Sequence, residues 1–402
     1  MFEEKDLPKV KDVLKQLLKY STNIGVKYSP RSQILIYELT SLSKPNLKYV
    51  SILRTLAQMK SNNLKSIRNF EQEYKKAGIH LAQFKRKEWT LIMPYQNQVI
   101  RKKFKIAGVQ FEIINKKKFF TLINEEDFFT ATRTKAEYLK AKLQLPDLFL
   151  ITQAKGVNIH SCWDYARAAF TIYQGIYDYG SLQDKWIEQD YALTSFRHPE
   201  WVVATNGSNN IEFATYLLST TRYAPHLKDI RSHARIQALV KYCTAVADEN
   251  TTKGLIYDSY RLYAQAMESV HRYNKFLSLW QLIENICMSS LFGGSTSEVI
   301  NRINLITKER NLFDFPIHGT YKHLAKKRND IVHKGLDCAT NIDINILKTI
   351  AEESIKWLVE KEIFLKTRAH INEYFSLRNK NDKDMAAILE TIQYLKPAKR
   401  AT

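Results

Sequence analysis

Apolar residues recur at helical spacing through most of the 402-residue chain, above all after residue 130. Five segments show this pattern most clearly: 162–180, 232–249, 254–292, 320–335 and 344–367. Strand-like runs, rich in β-branched and aromatic residues, occur within residues 88–115 and as a short pair within 145–161, and residues 181–224 contain loops and are left unassigned. The sequence therefore predicts a mainly α fold, in which a C-terminal helical bundle follows a smaller basic α+β domain.

The positive charge of the chain lies mostly in its first third. The chain has 61 Lys and Arg against 41 Asp and Glu, and residues 1–120 hold 25 of the basic residues against only 9 acidic ones. Such an excess predicts a polyanionic partner. An anionic membrane is the weaker choice, because no stretch approaches the roughly 18 apolar residues of a membrane span and residues 1–10 lack the apolar core of a secretory signal. Nucleic acid is the expected partner.

The pattern of cysteines and the absence of common enzyme motifs further restrict the class of protein. The four cysteines are scattered, with no CxxC pair and no His at metal-ligand spacing. We expect reduced thiols in a cytoplasmic protein that needs no metal and no cofactor, with a zinc site built from distant residues as the weaker alternative. The motifs GxxxxGK[ST], GxGxxG, GxSxG and HExxH are absent, so NTP hydrolysis, dinucleotide redox chemistry and zinc proteolysis have no support.

The densest basic segment, residues 85–118, is interleaved with aromatic residues and predicts a small antiparallel sheet. Its basic residues are candidates for RNA phosphate contacts: Arg101, Lys102, Lys103, Lys105, Lys116, Lys117 and Lys118. Its aromatic residues are candidates for stacking on bases: Phe84, Trp89, Tyr95, Phe104, Phe111, Phe119 and Phe120. The alternative is a solvated basic face with those aromatic side chains as the core beneath it.

One constellation carries plausible chemistry, in the segment KKRNDIVHKG. Asn329 and His333 are four residues apart and share a helix face, while Arg328 lies about 140° from His333 and is long enough to reach that face. A guanidinium, an amide and an imidazole can together hold a phosphate and move a proton. Those are the requirements for RNA cleavage without a metal, in which the ribose 2′-OH attacks the adjacent phosphate. Lys326 and Lys327, immediately upstream, are further candidates for RNA contact.

The context of this motif resembles the HEPN ribonuclease superfamily, and more narrowly the ApeA-like HEPN domain. There a Phe-Leu-x-Leu-Trp-x-x-x-Glu helix, here FLSLWQLIENI at 276–286, precedes a segment with Arg, Asn and His. Leu324, Arg328, Asn329, Val332 and His333 fit that segment, and Lys334 is inserted before Gly335. The resemblance covers about residues 230–370.

The resemblance implies a metal-independent endoribonuclease that works as a homodimer, with catalytic Arg328, Asn329 and His333 from both chains in one site. It implies a role in bacterial antiphage defence by abortive infection, with a phage-derived trigger or regulatory partner. Another branch of the superfamily carries Tyr two residues after the His; Gly335 stands there, so silencing through that Tyr is not expected. The main alternative is a non-catalytic nucleic-acid-binding or phage-sensing scaffold.

We accordingly divide the chain into a basic recognition domain (1–130), a helical middle region (131–228) and an ApeA-like HEPN domain (229–402). Glu284 matches the Trp-x-x-x-Glu position and is a candidate for catalytic support, or else a solvated carboxylate. Trp280 is expected in the core.

Two weaker sets of residues remain. His160, Cys162 and Asp164 lie close together in sequence, but adjacency alone does not place a base opposite a thiol. His318 and His323, on either side of a turn, are candidates for RNA contact rather than a metal site.

Overall fold

The chain divides between Lys87 and Glu88 into two units, and the largest hydrophobic cluster of each unit consists of that unit's own described residues. The computed structural model describes the following residues: 4–20, 30–41, 49–83, 87–123, 147–156, 159–183, 185–186, 194, 196, 201–205, 213–216, 230–288, 295–312, 317–378, 384 and 386. The predicted mainly α fold with a small sheet is confirmed over these residues.

The N-terminal unit, Met1–Lys87, is helical where it is described. Its helices are α1 (Leu7–Tyr20), α2 (Pro30–Ser41), α3 (Tyr49–Ser61) and α4 (Ile67–Gln83). Helix α1 buries Val10, Val13, Leu14 and Leu17, as their three- and four-residue spacing predicts.

The C-terminal unit, Glu88–Thr402, contains a six-stranded sheet of order β2-β3-β4-β1-β5-β6. The strands are β1 (Lys87–Pro94), β2 (Lys103–Ile106), β3 (Val109–Asn115), β4 (Leu148–Gly156), β5 (Trp201–Thr205) and β6 (Phe213–Tyr216). A short helix, α5 (Lys116–Leu122), follows β3. The sheet is larger than the sequence predicts, because β1 and β3 pair with strands far away along the chain.

Strands β2 and β3 form a tight hairpin, as the position of Gly108 between two strand-like runs predicts. Ile106 pairs with Val109, so the loop consists of Ala107 and Gly108, both with positive φ (46° and 84°). Two positive φ values give a turn whose twist matches that of the strands, and Gly108 adopts its value without a Cβ clash.

Helices make up the rest of the C-terminal unit. They are α6 (Ile159–Leu182), α7 (Ile230–Tyr242), α8 (Thr252–Glu268), α9 (Arg272–Cys287), α10 (Thr296–Glu309), α11 (His318–Lys334), α12 (Asn341–Lys361) and α13 (Arg368–Arg378). Helix α6 packs on the sheet and on α8, α8 packs on α9, and α9 packs on α12. Ser295 caps α10 by accepting a hydrogen bond from the Glu298 amide, as the Ser-x-x-Glu spacing predicts.

Gly175 sets the distance between α6 and α8. A Cβ added at Gly175 would lie 1.9 Å from the Tyr260 carbonyl oxygen. No side chain fits at that distance, so the contact between the two helices requires glycine.

The helix predicted over 254–292 is two helices, so that prediction is wrong. Helix α8 ends at Ser269, whose backbone is extended (φ −62°, ψ 134°), and α9 begins after His271. The Ser269 hydroxyl donates to the His271 carbonyl across the break, at 3.2 Å. The break lets the apolar faces of the two helices pack against each other, which one straight helix could not do.

The strand pair expected within 145–161 is also wrong in its second member. Strand β4 runs to Gly156, and α6 has already begun at Ile159. Strand β4 pairs with β3 over Leu148–Thr152 instead.

The helix predicted over 232–249 ends early, at Tyr242. The carbonyls of the next two residues, Cys243 and Thr244, accept hydrogen bonds from the amides of Ala107 and Gly108, at 2.9 and 3.0 Å. These carbonyls hold the hairpin turn, so they are unavailable to continue a helix.

The compact units do not follow the predicted boundaries at residues 130 and 228. Strands β1 to β3 pair with β4 and β5, which come after residue 147. The basic sheet therefore belongs to the C-terminal unit, and the described helices of the N-terminal unit are α1 to α4 and a short 3-10 helix at Glu4–Asp6.

A buried ion pair joins three helices of the C-terminal unit. On α12, Lys348 Nζ lies 2.7 Å from Glu352 Oε1, and each side chain is under 5 % exposed. Lys348 also donates to the carbonyls of Leu182 (2.7 Å) and Lys185 (3.0 Å), at and beyond the end of α6. The Tyr263 hydroxyl of α8 donates to Glu352 at 2.6 Å. Every polar group of the pair thus has partners, as buried charges require.

We expect Lys348→Met to lower the free energy of unfolding of the C-terminal unit by about 3–5 kcal/mol, because the substitution leaves Glu352 buried without its cation. Urea unfolding followed by tryptophan fluorescence measures this effect, since all six tryptophans lie after residue 87.

The matched control is Lys366→Met, which removes the cation of an exposed i,i+4 pair with Glu362 and costs under about 1 kcal/mol. The double variant Lys348→Met/Glu352→Leu loses less than the single variant, because no buried charge remains. Equal losses for Lys348→Met and the control would contradict the importance of the pair.

Candidate functional site

Helix α11 carries the predicted catalytic residues and presents them at the edge of its buried face. That face consists of Tyr321, Leu324, Ala325 and Ile331. Arg328, seven residues after Tyr321, continues the same stripe, and its side chain is 28 % exposed. A long cation thus stands where helical periodicity would otherwise place an apolar residue.

Arg328 contacts two of the predicted site residues. Its Nη2 atom lies 3.5 Å from Glu284 Oε1 on α9, and its Nη1 atom donates to Asn329 Oδ1 at 3.2 Å. The structure therefore brings Glu284, Arg328 and Asn329 together. The two contacts hold the guanidinium between α9 and Asn329, and no contact joins it to His333 among the described residues.

His333 lies in the last turn of α11, and its side chain is exposed. The imidazole of His333 makes no hydrogen bond to another residue in the described part of the chain. Gly335 ends the helix in the left-handed conformation (φ 66°), and the amides of Gly335 and Leu336 bond to the carbonyls of Ile331 and Asp330. The imidazole is open to a ligand.

Trp280 is in the core, as predicted. It lies on α9 one turn before Glu284, together with buried Phe276, Leu279 and Ile283. This packing fixes the helix that presents Glu284 to Arg328.

The two upstream lysines differ in their surroundings. Lys326 is exposed, whereas Lys327 is 17 % exposed and forms an ion pair with Asp343 at the start of α12. Lys326 is positioned to meet an anion. Lys327, predicted to bind RNA, instead joins α11 to α12.

Asp343 is a residue that the sequence analysis missed. It forms a capping box with Thr340 at the N-terminus of α12, and His323 Nε2 lies 3.6 Å from its second oxygen. Burial alone would raise the pKa of the Asp343 carboxyl, but hydrogen bonds from Lys327 and Thr340 outweigh burial and hold the pKa below its ordinary 3.8. The stability that this ion pair contributes is therefore present above about pH 3.8 and is lost as the pH falls through the lowered pKa. The spacing Thr340-x-x-Asp343 was the available signal.

The predicted basic surface lies on the β2–β3 hairpin and α5. Lys103 and Lys105 of β2 are exposed and alternate with buried Phe104 and Ile106, as a half-buried strand requires. Arg101, Lys102, Lys116 and Lys117 are also exposed.

The carboxylate of Glu112 neutralises part of the positive charge of this surface. Glu112 of β3 lies 2.8 Å from the Lys118 ammonium and 3.4 Å from that of Lys103. The hydrogen bond from Lys118 holds the pKa of Glu112 below its usual range. A cavity of about 370 Å³ beside this pair is lined in part by Lys102 and Asn115. Phosphates would therefore meet Arg101, Lys102, Lys105, Lys116 and Lys117 before the two paired lysines.

The aromatic residues of this segment do not form a stacking surface. Trp89, Tyr95, Phe104, Phe111 and Phe119 are all under 10 % exposed. Phe120 is half-buried against a small apolar cluster on the other side of the sheet, and Phe84 lies outside the described residues. The prediction of base stacking on these five side chains is wrong, because a small sheet needs them as its core.

The weaker candidates form no site among the described residues. Burial raises the pKa of the Cys162 thiol, which opposes the thiolate that a nucleophile needs. Asp164 is exposed, and the side chain of His160 lies outside the described residues. His318 contacts Asn304 at 2.9 Å. His323 Nε2 lies 3.6 Å from Asp343 Oδ1.

Metal-ligand clusters and membrane spans are both absent from the described part of the chain. No group of three or more His, Cys, Asp or Glu side chains there is placed to hold a metal ion. No helix there has both the length and the apolar character needed to cross a membrane.

Comparisons with protein-family models, with curated proteins and with solved structures found no match to this chain. Assignment of a function therefore rests on the motif and its geometry.

Lys326→Ala and Lys327→Ala form a matched pair that separates RNA contact from helix packing. We expect Lys326→Ala to weaken RNA binding with little loss of stability, and Lys327→Ala to lower the free energy of unfolding by about 1–3 kcal/mol, because Asp343 loses its buried partner. RNA titrations and urea unfolding of both variants measure the two effects. The reverse pattern would contradict these roles.

Substitution of Lys102, Lys116 and Lys117 by Gln tests the basic surface. If these ammoniums bind phosphates, log K for single-stranded RNA should fall less steeply with log salt, by roughly 0.7 for each phosphate that is no longer neutralised. Because the aromatic side chains are buried, we expect the same loss for RNAs of different sequence. Substitution of exposed Lys241 and Lys366 by Gln is the control, and an unchanged slope in the triple variant would identify these lysines as a solvated face.

Proposed function

We propose that this protein is a metal-independent endoribonuclease whose site contains Arg328, Asn329 and His333. The observation that carries the proposal is on α11: a guanidinium held by Glu284 and Asn329, and an exposed imidazole five residues further along the same helix. The resemblance of this segment to the ApeA-like HEPN domain supports the same function.

The chemistry needs only these side chains and the RNA. The 2′-oxygen of one ribose forms a bond to the adjacent phosphorus, and the bond from phosphorus to the 5′-oxygen of the next nucleotide breaks. A proton leaves the 2′-OH and another reaches the departing 5′-oxygen, with His333 as a proton carrier. Arg328 stabilises the negative charge that develops on the phosphate oxygens. The products are a 2′,3′-cyclic phosphate and a 5′-hydroxyl.

A homodimer supplies the second acid–base group. One histidine per chain must otherwise act as both base and acid, whereas a twofold axis beside α11 brings two copies of His333 and Arg328 into one cleft. Exposure of His333 and Asn329 on the helix surface is compatible with such an interface. We propose a cytoplasmic antiphage role, in which a phage-derived trigger or a regulatory partner releases the activity.

Cleavage of labelled RNA in EDTA tests the proposal with three variants. His333→Ala and Arg328→Ala should each lower the rate by about 10²-fold or more, because each removes a group that acts in the transition state. His370→Ala removes an exposed histidine from α13 and should leave the rate unchanged. Cleavage that survives both site substitutions, or that requires a divalent cation, would disprove this mechanism.

A non-catalytic nucleic-acid-binding scaffold is the second candidate, and one observation favours it. The charge of Arg328 is already partly neutralised by Glu284. A scaffold would bind RNA without cutting it, and Glu284→Gln would strengthen that binding by freeing the guanidinium. RNA binding by wild type and by Glu284→Gln, with no cleavage by either chain, would establish this alternative.

A further inference from the structure

A cavity in the N-terminal unit has a basic rim and an apolar floor. It measures about 290 Å³, close to the lower limit of about 300 Å³ for small-molecule sites. Leu18, Met59 and Leu64 form its apolar lining. Its rim carries four lysines: Lys15, Lys19, Lys60 and Lys65. No Asp or Glu is among the described residues that line it.

These lysines differ from their neighbours in the same unit. Lys9 pairs with Glu38, and Lys76 pairs with Glu73 at 2.7 Å. The four rim lysines form no ion pair within the described residues. Exposed ammoniums that crowd together repel one another, and an anion between them removes that repulsion.

Only two of the four rim lysines lie at helix C-termini, where a cation is expected for structural reasons. Lys19 and Lys60 lie in the last turns of α1 and α3, where a cation offsets the partial negative charge of the helix terminus. Lys15 lies one turn earlier in α1, and Lys65 follows the turn between α3 and α4. These two positions have no such role, so their charge remains available to a ligand.

The floor restricts what the ligand can be. Leu18 and Leu64 are half-buried and give the cavity an apolar base, and Met59 is fully buried in the core of the same unit. Asn63 lines the same cavity in a left-handed turn conformation (φ 52°) and adds a side-chain amide. A purely anionic ligand would leave the floor unused.

We propose that this cavity binds a nucleotide, with the phosphate chain among the four ammoniums and the base against the apolar side chains of Leu18 and Leu64. The site lies in the unit that does not contain α11, and the inference does not depend on the proposed nuclease activity. Because the rim carries four positive charges and the floor is apolar, affinity rises with the number of phosphates and depends little on which base is present.

Calorimetric titration of the full chain in EDTA tests the proposal with ATP, AMP, adenosine and inorganic triphosphate. We expect ATP to bind more tightly than AMP and more tightly than triphosphate, and adenosine not to bind. Lys15→Gln/Lys60→Gln should weaken ATP binding about tenfold or more, since each charged contact to phosphate contributes.

The control is Lys11→Gln/Lys75→Gln, which makes the same change in charge at exposed positions outside the cavity and should leave ATP binding unchanged. Equal weakening by both double variants, or no ATP binding at millimolar concentration, overturns the proposal. Loss of affinity for a short single-stranded RNA in Lys15→Gln/Lys60→Gln, without mononucleotide binding by wild type, overturns it in favour of an RNA contact.

Discussion

The buried pair of Lys348 and Glu352 is the interaction on which the C-terminal unit depends most. It ties the end of α6 to α12, and through Tyr263 it ties α8 to the same point. Two charges in the interior are tolerated only with all their hydrogen-bonding capacity used, so these helices have one favourable arrangement. Helix α12 then packs on α9, which carries Glu284, and its capping residue Asp343 pairs with Lys327 of α11. Both helices of the candidate site thus contact α12, the helix that carries the buried pair.

Local signals predicted the local structure. The apolar spacing of α1, the tight turn at Gly108 and the Ser295 cap are confirmed, because each depends on residues within one turn or one hairpin. The order of the strands was not predictable, since β1 pairs with β5 across more than a hundred residues and no local pattern encodes that partner. The difference between the predicted boundary at residue 130 and the boundary of the compact units has the same cause.

The residues of the candidate site also divide into those that the sequence could identify and those that depend on how the helices pack. Arg328, Asn329 and His333 could be selected because they lie within six residues of one another on one helix. The proximity of Glu284 to Arg328 depends on how α9 and α11 pack, which the spacing of neither helix determines. Lys327 looked equivalent to Lys326 in the sequence, and only the position of Asp343 distinguishes the two. Composition also could not show that the aromatic residues of the basic sheet are its core rather than its binding surface.

Helix α11 ends at Gly335, two residues after His333, so the two ends of the Arg-Asn-x3-His motif differ in how firmly the structure holds them. Arg328 lies in the body of α11 and is tethered by a carboxylate from another helix, whereas His333 is in the final turn, where the nearest side-chain restraint is the Lys334–Asp330 pair at 2.6 Å. Final turns open more readily than helix interiors. Among the described residues, the imidazole therefore has fewer side-chain restraints than the guanidinium. A ligand or second chain that covered the end of α11 would add a restraint at His333 and leave the tether of Arg328 as it is.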